Sequence, residues 1–208
     1  MIDHLVYATP DLEATVLELS ERLGTHPVAG GAHVGLGTRN ALVSLGGRRY
    51  LEIVGPDLEA SGPDRPRPFG IDVLDGAALV AWCARSSKPL DGAIAAARAV
   101  GHDLGDAVAM ARVRPDGVRL DWRLTMPQLV GPDARVVPFL IDWGLSPHPT
   151  ETLPDGVVLA QLRLAHPDPE RLHSILAALD AADDVEIAEG PLAISALVTT
   201  RDGVLNLS

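Results

Sequence analysis

A strand–helix pattern that recurs along the 208 residues constrains the fold more than any other feature of the sequence. Residues 2–11 (IDHLVYATPD) lie over residues 159–168 (LAQLRLAHPD) without a gap, and each segment runs from an apolar strand into a Pro-Asp helix start. A less complete copy of the pattern begins near Ala78. Such repeats predict supersecondary units that bury their apolar faces against one another.

Each unit is predicted to contain one helix among several strands. The first helix begins at the Pro10-Asp11 turn, has apolar residues at helical spacing and ends at Gly24. The predicted strands span residues 2–9, 27–29, 40–45 and 50–54 in the first unit, 78–84, 107–113 and 118–124 in the middle unit, and 157–165, 185–188, 193–199 and 204–207 in the last unit. The other two helices are predicted at residues 91–100 and 168–182. The βαβββ order of the first and last units predicts an α+β fold.

Composition sets the predicted boundaries between the units. Residues 56–76 are rich in Pro, Gly, Asp and Arg without an apolar period, which predicts a connecting loop. Residues 136–156 are first apolar and then Pro-rich, and we interpret them as a linker. The predicted division is a first unit at 1–55, a middle β/α unit at 77–135 and a last unit at 157–208, packed as one compact body.

Charge and composition restrict the partners of the chain. The formal net charge is -11 and the 17 Lys and Arg are scattered, which argues against nucleic-acid binding because such binding depends on clustered basic residues. The single cysteine, Cys83, excludes an intrachain disulfide. No stretch approaches the roughly 20 apolar residues of a membrane span, and no signal-peptide pattern is found at the start. We therefore expect a cytoplasmic protein without nucleic-acid or membrane partners.

Three common functional signatures are absent from the sequence. There is no GxGxxG motif after a strand and no phosphate-binding loop ending in Gly-Lys-Ser/Thr. There is also no Gly-x-Ser-x-Gly turn of the kind that carries a nucleophilic serine. These absences argue against dinucleotide, nucleotide and serine-hydrolase chemistry.

Three segments of the sequence carry a family resemblance. They are IDHLVY at 2–7 with PDL at 10–12, GGAHVGLGTRN at 30–40 and YLEI at 50–53. With further blocks at 115–123 and 138–143, they make the chain resemble the glyoxalase-like proteins of the vicinal oxygen chelate superfamily. The resemblance covers nearly the whole chain. It implies tandem βαβββ units that form a cupped, mixed or antiparallel sheet around a small-molecule cavity, with the helices on the outside.

The resemblance also implies a divalent metal held by the first and last strands of each unit. Carried over residue by residue, His4 and Glu52 fall on two of these ligand positions. Imidazole nitrogen and carboxylate oxygen suit iron, zinc, manganese or nickel. In such relatives the metal acts as a Lewis acid in lyase, isomerase or dioxygenase reactions. The alternative for His4 is a hydrogen-bonded pair with Glu52 that holds no metal.

The last unit departs from the ligand pattern. Gln161 falls opposite His4, and Asn206 falls opposite Glu52. Both are neutral amides, which are weak ligands for transition metals but suit a polar ligand pocket. We therefore predict that Gln161 and Asn206 bind substrate. The sequence leaves open whether the protein binds a metal.

The glycine-flanked run at 30–40 supplies further candidate site residues. His33 is interpreted as a third metal ligand, a general base or a polar loop residue, and with Glu52 it forms the candidate catalytic pair. Arg39 and Asn40 follow it and suit an anionic or carbonyl-bearing ligand, although a surface ion pair is the alternative for Arg39.

Aromatic residues of the later blocks are predicted to line the same cavity. Trp122, Trp143 and His148 lie there, and aromatic walls are common in small-molecule pockets. Ordinary core packing is the alternative for these side chains.

Two functions remain open on the sequence. The first is an enzyme-like protein that binds a small carbonyl- or vicinal-oxygen-bearing metabolite above His4 and Glu52, with or without a divalent metal. The second is a metal-free protein of the same fold that binds or sequesters a small molecule. A homodimer that completes the sheet is a further expectation, although the first and last units could pair within one chain.

Overall fold

The computed structural model describes residues 1–60 and 66–208. The first unit comprises β1 (Ile2–Ala8), α1 (Leu12–Leu23), β2 (Val28–His33), β3 (Thr38–Ser44) and β4 (Tyr50–Pro56). The middle unit comprises β5 (Ala78–Ala84), α2 (Leu90–Ala99), β6 (Val108–Val113), β7 (Arg119–Leu124) and β8 (Phe139–Asp142). The last unit comprises β9 (Val158–His166), α3 (Pro169–Ala178), β10 (Val185–Glu189), β11 (Ala193–Thr200) and β12 (Gly203–Leu207).

The first and middle units close into one eight-stranded barrel with the strand order β1-β4-β3-β2-β6-β7-β8-β5. Within each unit the first strand pairs in parallel with the last, β1 with β4 and β5 with β8. Two antiparallel seams join the halves, β1 with β5 and β2 with β6. The predicted α+β fold, with βαβββ units curled into a cup, is confirmed.

The first unit pairs with the middle unit, and not with the last unit, with which the sequence analysis said it could pair. The middle unit closes the barrel because it has a fourth strand, β8, inside the segment 136–156 that was interpreted as a linker. β8 has only four residues and directly follows Pro138, so an alternating pattern has too little length to stand out in the sequence.

The last unit forms a separate four-stranded sheet with the order β10-β9-β11-β12. Its elements follow the same order as those of the first unit, but β9 pairs in parallel with β10, the strand after the helix. β11 lies between β9 and β12 and is antiparallel to both. The sheet packs on the outside of the barrel, where Leu159 N donates to Leu45 O at 2.9 Å and both bodies share an apolar core.

Alternation along β4 separates that outer core from the barrel interior. Leu51 and Ile53 belong to the outer core between the barrel wall, the helices and the last unit. Tyr50 and Val54 face the interior, and Glu52 lies between them on the same side of the strand. The apolar neighbours therefore fix the strand, and the period of two directs Glu52 inward.

Local signals in the sequence set the ends of the helices. Asp11 Oδ1 accepts a hydrogen bond from Ala14 N at 3.0 Å at the start of α1, and Asp168 Oδ1 accepts one from Arg171 N at 2.9 Å at the start of α3. α1 ends at Gly24, whose φ of 65° lies in the left-handed region. None of the helices in the described ranges is long and apolar enough to cross a membrane.

The predicted connection at 56–76 lies partly outside the described residues, at 61–65. Beyond that stretch a short 3-10 segment, Pro68–Val73, leads into β5. It brings Phe69 to the mouth of the barrel, where this side chain helps to line the interior cavity.

Candidate functional site

A cavity of about 630 Å³, including its open mouth, lies inside the barrel and is called the barrel cavity below. The first unit lines it with His4, His33, Asn40, Tyr50 and Glu52. The middle unit lines it with Met110, Trp122, Phe139, Ile141 and Trp143, and with one charged residue, Arg112. Polar groups thus come mainly from one half of the barrel and apolar groups from the other.

Glu52 lies on the polar side of the barrel cavity among three polar neighbours. Asn40 Nδ2 donates to Glu52 Oε1 at 2.6 Å. His33 Nε2 lies 3.5 Å from Oε1, and His4 Nε2 lies 3.7 Å from Oε2. Asn40 therefore orients the carboxylate through one oxygen, and Oε2 is left to face a ligand.

The neighbouring residue Asp3 orients His4. His4 Nδ1 lies 2.7 Å from Asp3 Oδ1, and because a carboxylate only accepts, the imidazole proton is on Nδ1. Nε2 then presents its lone pair on the side of Glu52. The register between β1 and β5 shifts between Ile2 and His4, and both Asp3 and His4 are buried. The imidazole also stacks on Tyr50, with ring centroids 4.6 Å apart.

Asp3 is fully buried and accepts hydrogen bonds from side chains in the wall of the barrel. His148 Nε2 and Trp143 Nε1 each donate to Oδ2 at 3.2 Å, and Arg85 Nε lies 2.8 Å from the same oxygen as an ion pair. Burial alone would raise the pKa of Asp3, but the hydrogen bonds from His148 and His4 outweigh it and hold the pKa well below its ordinary value. Asp3 is therefore ionised at neutral pH and fixes the tautomer of His4.

His33 is a second imidazole held in its neutral form. Burial lowers the pKa of His33, while Glu52 opposes the shift and Arg112 adds to it. Nδ1 lies 2.9 Å from Thr38 Oγ1, and Asn40 Nδ2 lies 3.3 Å from Nε2. Because the amide nitrogen donates, the proton of His33 is on Nδ1 and Nε2 is an acceptor.

Arg112 on β6 is the cation of the barrel cavity. It is only 3 % exposed, and Nη1 donates to Asn40 Oδ1 at 2.8 Å. Burial lowers the pKa of Arg112, yet the guanidinium stays protonated at neutral pH. Gly30 makes room for this contact, because a Cβ there would lie 2.1 Å from Asn40 Oδ1 and 2.2 Å from Arg112 Nη1.

Aromatic rings form the side of the barrel cavity that faces Glu52. The rings of Trp122 and Trp143 have centroids 5.3 Å apart, and those of Phe69 and Phe139 are 6.2 Å apart. Phe69 has a φ of 62°, a conformation that costs a non-glycine residue on the order of 1 kcal/mol. The buried Trp122 Nε1 meets no acceptor among the residues that the structure describes.

The first unit offers donors of the right chemistry for a divalent metal. His4 Nε2, His33 Nε2 and the Glu52 carboxylate are nitrogen and oxygen ligands that suit iron, zinc, manganese or nickel. Their separations of 3.5 and 3.7 Å from the carboxylate oxygens approach the roughly 3.0–3.5 Å between two ligands that share one ion. On the facing strand β8 the cavity is lined by Phe139 and Ile141, which are not ligands. His4 and His33 lie beside different oxygens of the carboxylate, and in the described residues the ligand atoms of His4, His33 and Glu52 do not all come within 4.8 Å of one another. The donor set thus suits a metal in its chemistry, but it is not arranged as a preformed three-ligand site.

A different trio, Asp3, His4 and Cys83, has ligand atoms within 4.8 Å of one another. Burial raises the pKa of the Cys83 thiol well above its ordinary value, so without a metal this sulfur is protonated. Asp3 already accepts from His4 and His148. Hydrogen bonding alone accounts for this trio.

The structure brings together most of the residues that the sequence singled out. The predicted site residues that line the barrel cavity are His4, His33, Asn40, Glu52, Trp122 and Trp143. His148 is fully buried behind this lining and acts through its hydrogen bond to Asp3. Arg39 points away from the cavity, because it alternates with Asn40 on β3, and lines an outer groove beside Leu12.

Gln161 and Asn206 do not reach the barrel cavity. They lie in the last unit on strands β9 and β12, opposite Leu197 from either side of β11. Gln161 Nε2 donates to Glu186, and Asn206 is exposed. The alignment placed them with His4 and Glu52, but the first and last strands of this unit are not neighbours, so the two amides cannot form an equivalent pair.

Asp3 and Arg112 are the site residues that the sequence analysis missed. Asp3 stands out in retrospect as an acid within an otherwise apolar strand, directly beside His4. Arg112 lies two residues after Met110 on β6, and because side chains two apart on a strand point the same way, both lie on one face. The signal for Arg112 was present, but only the barrel closure shows that this face is the interior.

The barrel of two βαβββ units around an inner cavity is the architecture of a glyoxalase-like protein. The family model of the glyoxalase-like domain matches residues 2–179, and the chain belongs to that family. No curated protein matches the sequence.

Solved structures match the chain at low sequence identity. A hypothetical protein from Staphylococcus aureus matches with a TM-score of 0.63 and 12 % identity, over 99 % of this chain and 84 % of that chain. Methylmalonyl-CoA epimerase from Mycobacterium tuberculosis matches with a TM-score of 0.40 and 20 % identity, over 67 % of this chain and 84 % of that chain. An epimerase from Streptomyces coelicolor gives 0.42 and 21 %, over 72 % and 98 %. At such identities the likeness bears on the fold alone.

Proposed function

We propose that the chain is an enzyme that moves a proton on a small carbonyl-bearing metabolite in the barrel cavity, in a reaction of the isomerase or lyase type. One observation carries this proposal. Glu52 Oε2 and His4 Nε2, two proton acceptors, lie 3.7 Å apart beside the cavity, and each side chain is oriented from behind by a dedicated partner. Such oriented acid–base groups in an apolar pocket are typical of proton-transfer sites.

Glu52 is the base in this proposal. Asn40 holds Oε1, so Oε2 is free to take a proton from the carbon beside the ligand carbonyl. Loss of that proton puts negative charge on the carbonyl oxygen, which N–H donors stabilise. Arg112 is the N–H donor at the cavity wall that can supply this stabilisation.

His4 is a second acceptor in this proposal. Because Asp3 keeps the imidazole proton on Nδ1, His4 Nε2 accepts a hydrogen bond from a ligand hydroxyl or receives the proton from Glu52. His33 supports the same arrangement, since its neutral ring adds no positive charge next to the carboxylate.

A divalent metal would be held by His4, His33 and Glu52, and it would supply Lewis-acid polarisation of the ligand oxygens. Elemental analysis of protein purified without added metal tests this part of the proposal. Stoichiometric iron, zinc, manganese or nickel that is lost in both His4→Ala and Glu52→Ala supports a metal site. Metal content that neither substitution changes rules it out.

The rival is a protein that binds or sequesters a small molecule without turnover. The apolar side of the cavity favours this function, because Phe139, Ile141 and the tryptophans trap a ligand but perform no chemistry. The two functions differ in what they require of Glu52, since only the enzyme needs a base.

Proton exchange in D2O separates them. We expect the protein to catalyse deuterium incorporation beside the carbonyl of at least one compound in a panel of 2-oxo acids, 2-hydroxy ketones and 1,3-dicarbonyls, followed by NMR. Glu52→Gln should slow this exchange by about 10²–10⁴-fold, and Glu21→Gln, on the exposed face of α1, should leave it unchanged. A panel compound that binds and exchanges equally fast with wild type, Glu52→Gln and no protein would establish the binding function instead.

A further inference from the structure

We infer that the ligand of the barrel cavity is a carboxylic acid with an apolar, ring-sized body, and that its carboxylate pairs with Arg112. This inference rests on the proposed use of the barrel cavity for a small molecule and adds the class of that molecule. The geometry that carries it is a nearly buried guanidinium whose hydrogen-bonding capacity is mostly unused at the wall of an aromatic pocket.

A guanidinium has five N–H donors, and burying it without partners is costly. Arg112 uses one of them, from Nη1 to Asn40 Oδ1, among residues 1–60 and 66–208. Within the same ranges its side chain forms no ion pair, although it is only 3 % exposed. A carboxylate matches the planar fork of the remaining donors and would supply the missing counter-charge.

Glu52 is not the counter-ion of Arg112, because Asn40 lies between the carboxylate and the guanidinium. The amide faces both ways: Oδ1 accepts from Arg112 at 2.8 Å, and Nδ2 donates to Glu52 at 2.6 Å. The positive and negative groups are thus separated by one amide, which leaves the fork of Arg112 for a ligand. A ligand whose reacting carbon is next to its carboxylate can place the carboxylate at Arg112 and the reacting carbon at Glu52.

The rest of the wall selects an apolar body. The paired rings of Trp122 and Trp143 and of Phe69 and Phe139 offer faces and edges for a planar group. Charge for one end of the ligand and aromatic contact for the other are therefore present in one cavity.

Binding of a matched pair of probes, 3-phenylpropionate and 3-phenylpropionamide, tests the inference. The two differ in charge and share the apolar body. Calorimetry gives the affinities, and tryptophan fluorescence reports the location, because Trp122 and Trp143 line the barrel cavity whereas Trp82 is buried in the outer core. We expect wild type to bind the acid about tenfold or more tightly than the amide, with fluorescence quenching.

Three variants assign that preference to one residue. Arg112→Met should bring the affinities for acid and amide together, and Arg112→Lys should keep part of the preference. Arg119→Met removes the same charge from an exposed residue of β7 and should behave like wild type. Gly30→Ala tests the same contact in a second way, because the added Cβ displaces the Arg112 side chain without a change in charge. This variant should also reduce the preference for the acid.

The outcomes distinguish this inference from the proposed function. Equal affinities of wild type for acid and amide, or no binding of the acid at millimolar concentration, overturn the inference. So does a preference that survives in Arg112→Met. In each of these cases deuterium exchange that depends on Glu52 would still support the proposed enzyme with an uncharged substrate. Conversely, an Arg112-dependent preference without any exchange would keep the ligand class and remove the enzyme.

Discussion

The first unit of the closed barrel and the last unit have the same order of elements but form different sheets. In the first unit the last strand β4 returns to pair with β1, so the sheet curves and its free edge meets the middle unit around a hollow. In the last unit β9 pairs with β10 instead, and the resulting sheet covers the outside of the barrel. The comparison teaches that strand pairing, rather than the order of elements, decides whether a unit of this kind encloses a site.

The chemistry of the two regions follows from this difference. Inside the barrel, polar groups such as Glu52 and His4 are buried, and each has an assigned partner. On the last unit, comparable polar side chains lie near solvent and pair locally, as Gln161 does with Glu186. Substitutions at three places in the molecule test this contrast.

The largest effect is expected inside the barrel, for Asp3→Asn. The asparagine keeps the shape but removes the charge that fixes the His4 tautomer, so kcat for deuterium exchange should fall about 10²-fold while KM changes little. Circular dichroism checks that the fold is kept. Asp155→Asn, at an exposed site, is the control. A fall in kcat that matches the fraction of folded protein lost, as circular dichroism reports it, would contradict the positioning role.

A smaller effect is expected at the joint between the two regions, for Asp133→Asn. Asp133 accepts from Arg171 on α3 at 2.7 and 3.0 Å and lies 3.0 Å from His102 Nδ1, beyond the end of α2. Burial would raise the pKa of Asp133, but the hydrogen bonds and charges of Arg171 and His102 outweigh it and lower the pKa. Asp133 therefore stabilises the fold above about pH 4, and this contribution is lost as the pH falls through the lowered pKa.

The free energy of unfolding of Asp133→Asn should consequently be about 1–3 kcal/mol lower than that of wild type at neutral pH. Below about pH 4 the two proteins should converge. Urea titration at several pH values measures both quantities, with Asp183→Asn, an exposed acid of the same region, as the control. A difference that stays constant down to the lowest pH would argue against the ion pair.

The smallest effect is expected on the last unit itself. Gln161→Ala and Asn206→Ala, alone or together, should change ligand affinity and deuterium exchange less than twofold, because neither residue lines the barrel cavity. The calorimetric and NMR assays above measure this directly. A tenfold loss in either variant would mean that the last unit takes part in binding.

Short-range patterns in the sequence predicted the first unit well. Apolar runs of residues placed β1 and β4, and the family resemblance singled out His4 and Glu52, whose side chains the structure brings within 3.7 Å of each other. The pairing of units was not predictable in the same way, since it depends on β8, a strand of four residues. The overlay of 2–11 on 159–168 reports local sequence similarity only, and strand pairing is a long-range property.

The missed site residues have the same explanation. Arg112 belongs to β6, whose inward face is defined only when β6 pairs with β2 across the seam. Asp3 owes its importance to His148 and Trp143, which are more than 130 residues away in sequence. Neither relation can be obtained from the periodicity of one strand.

The seam between β2 and β6 is short, with His33 opposite Arg112 in one of the two residue pairs assigned to it. A compound that engages both sides of this junction clamps the two halves of the barrel together. Occupancy and barrel closure are then thermodynamically linked, so a ligand that binds only the closed barrel stabilises the fold by an amount that grows with its concentration relative to Kd.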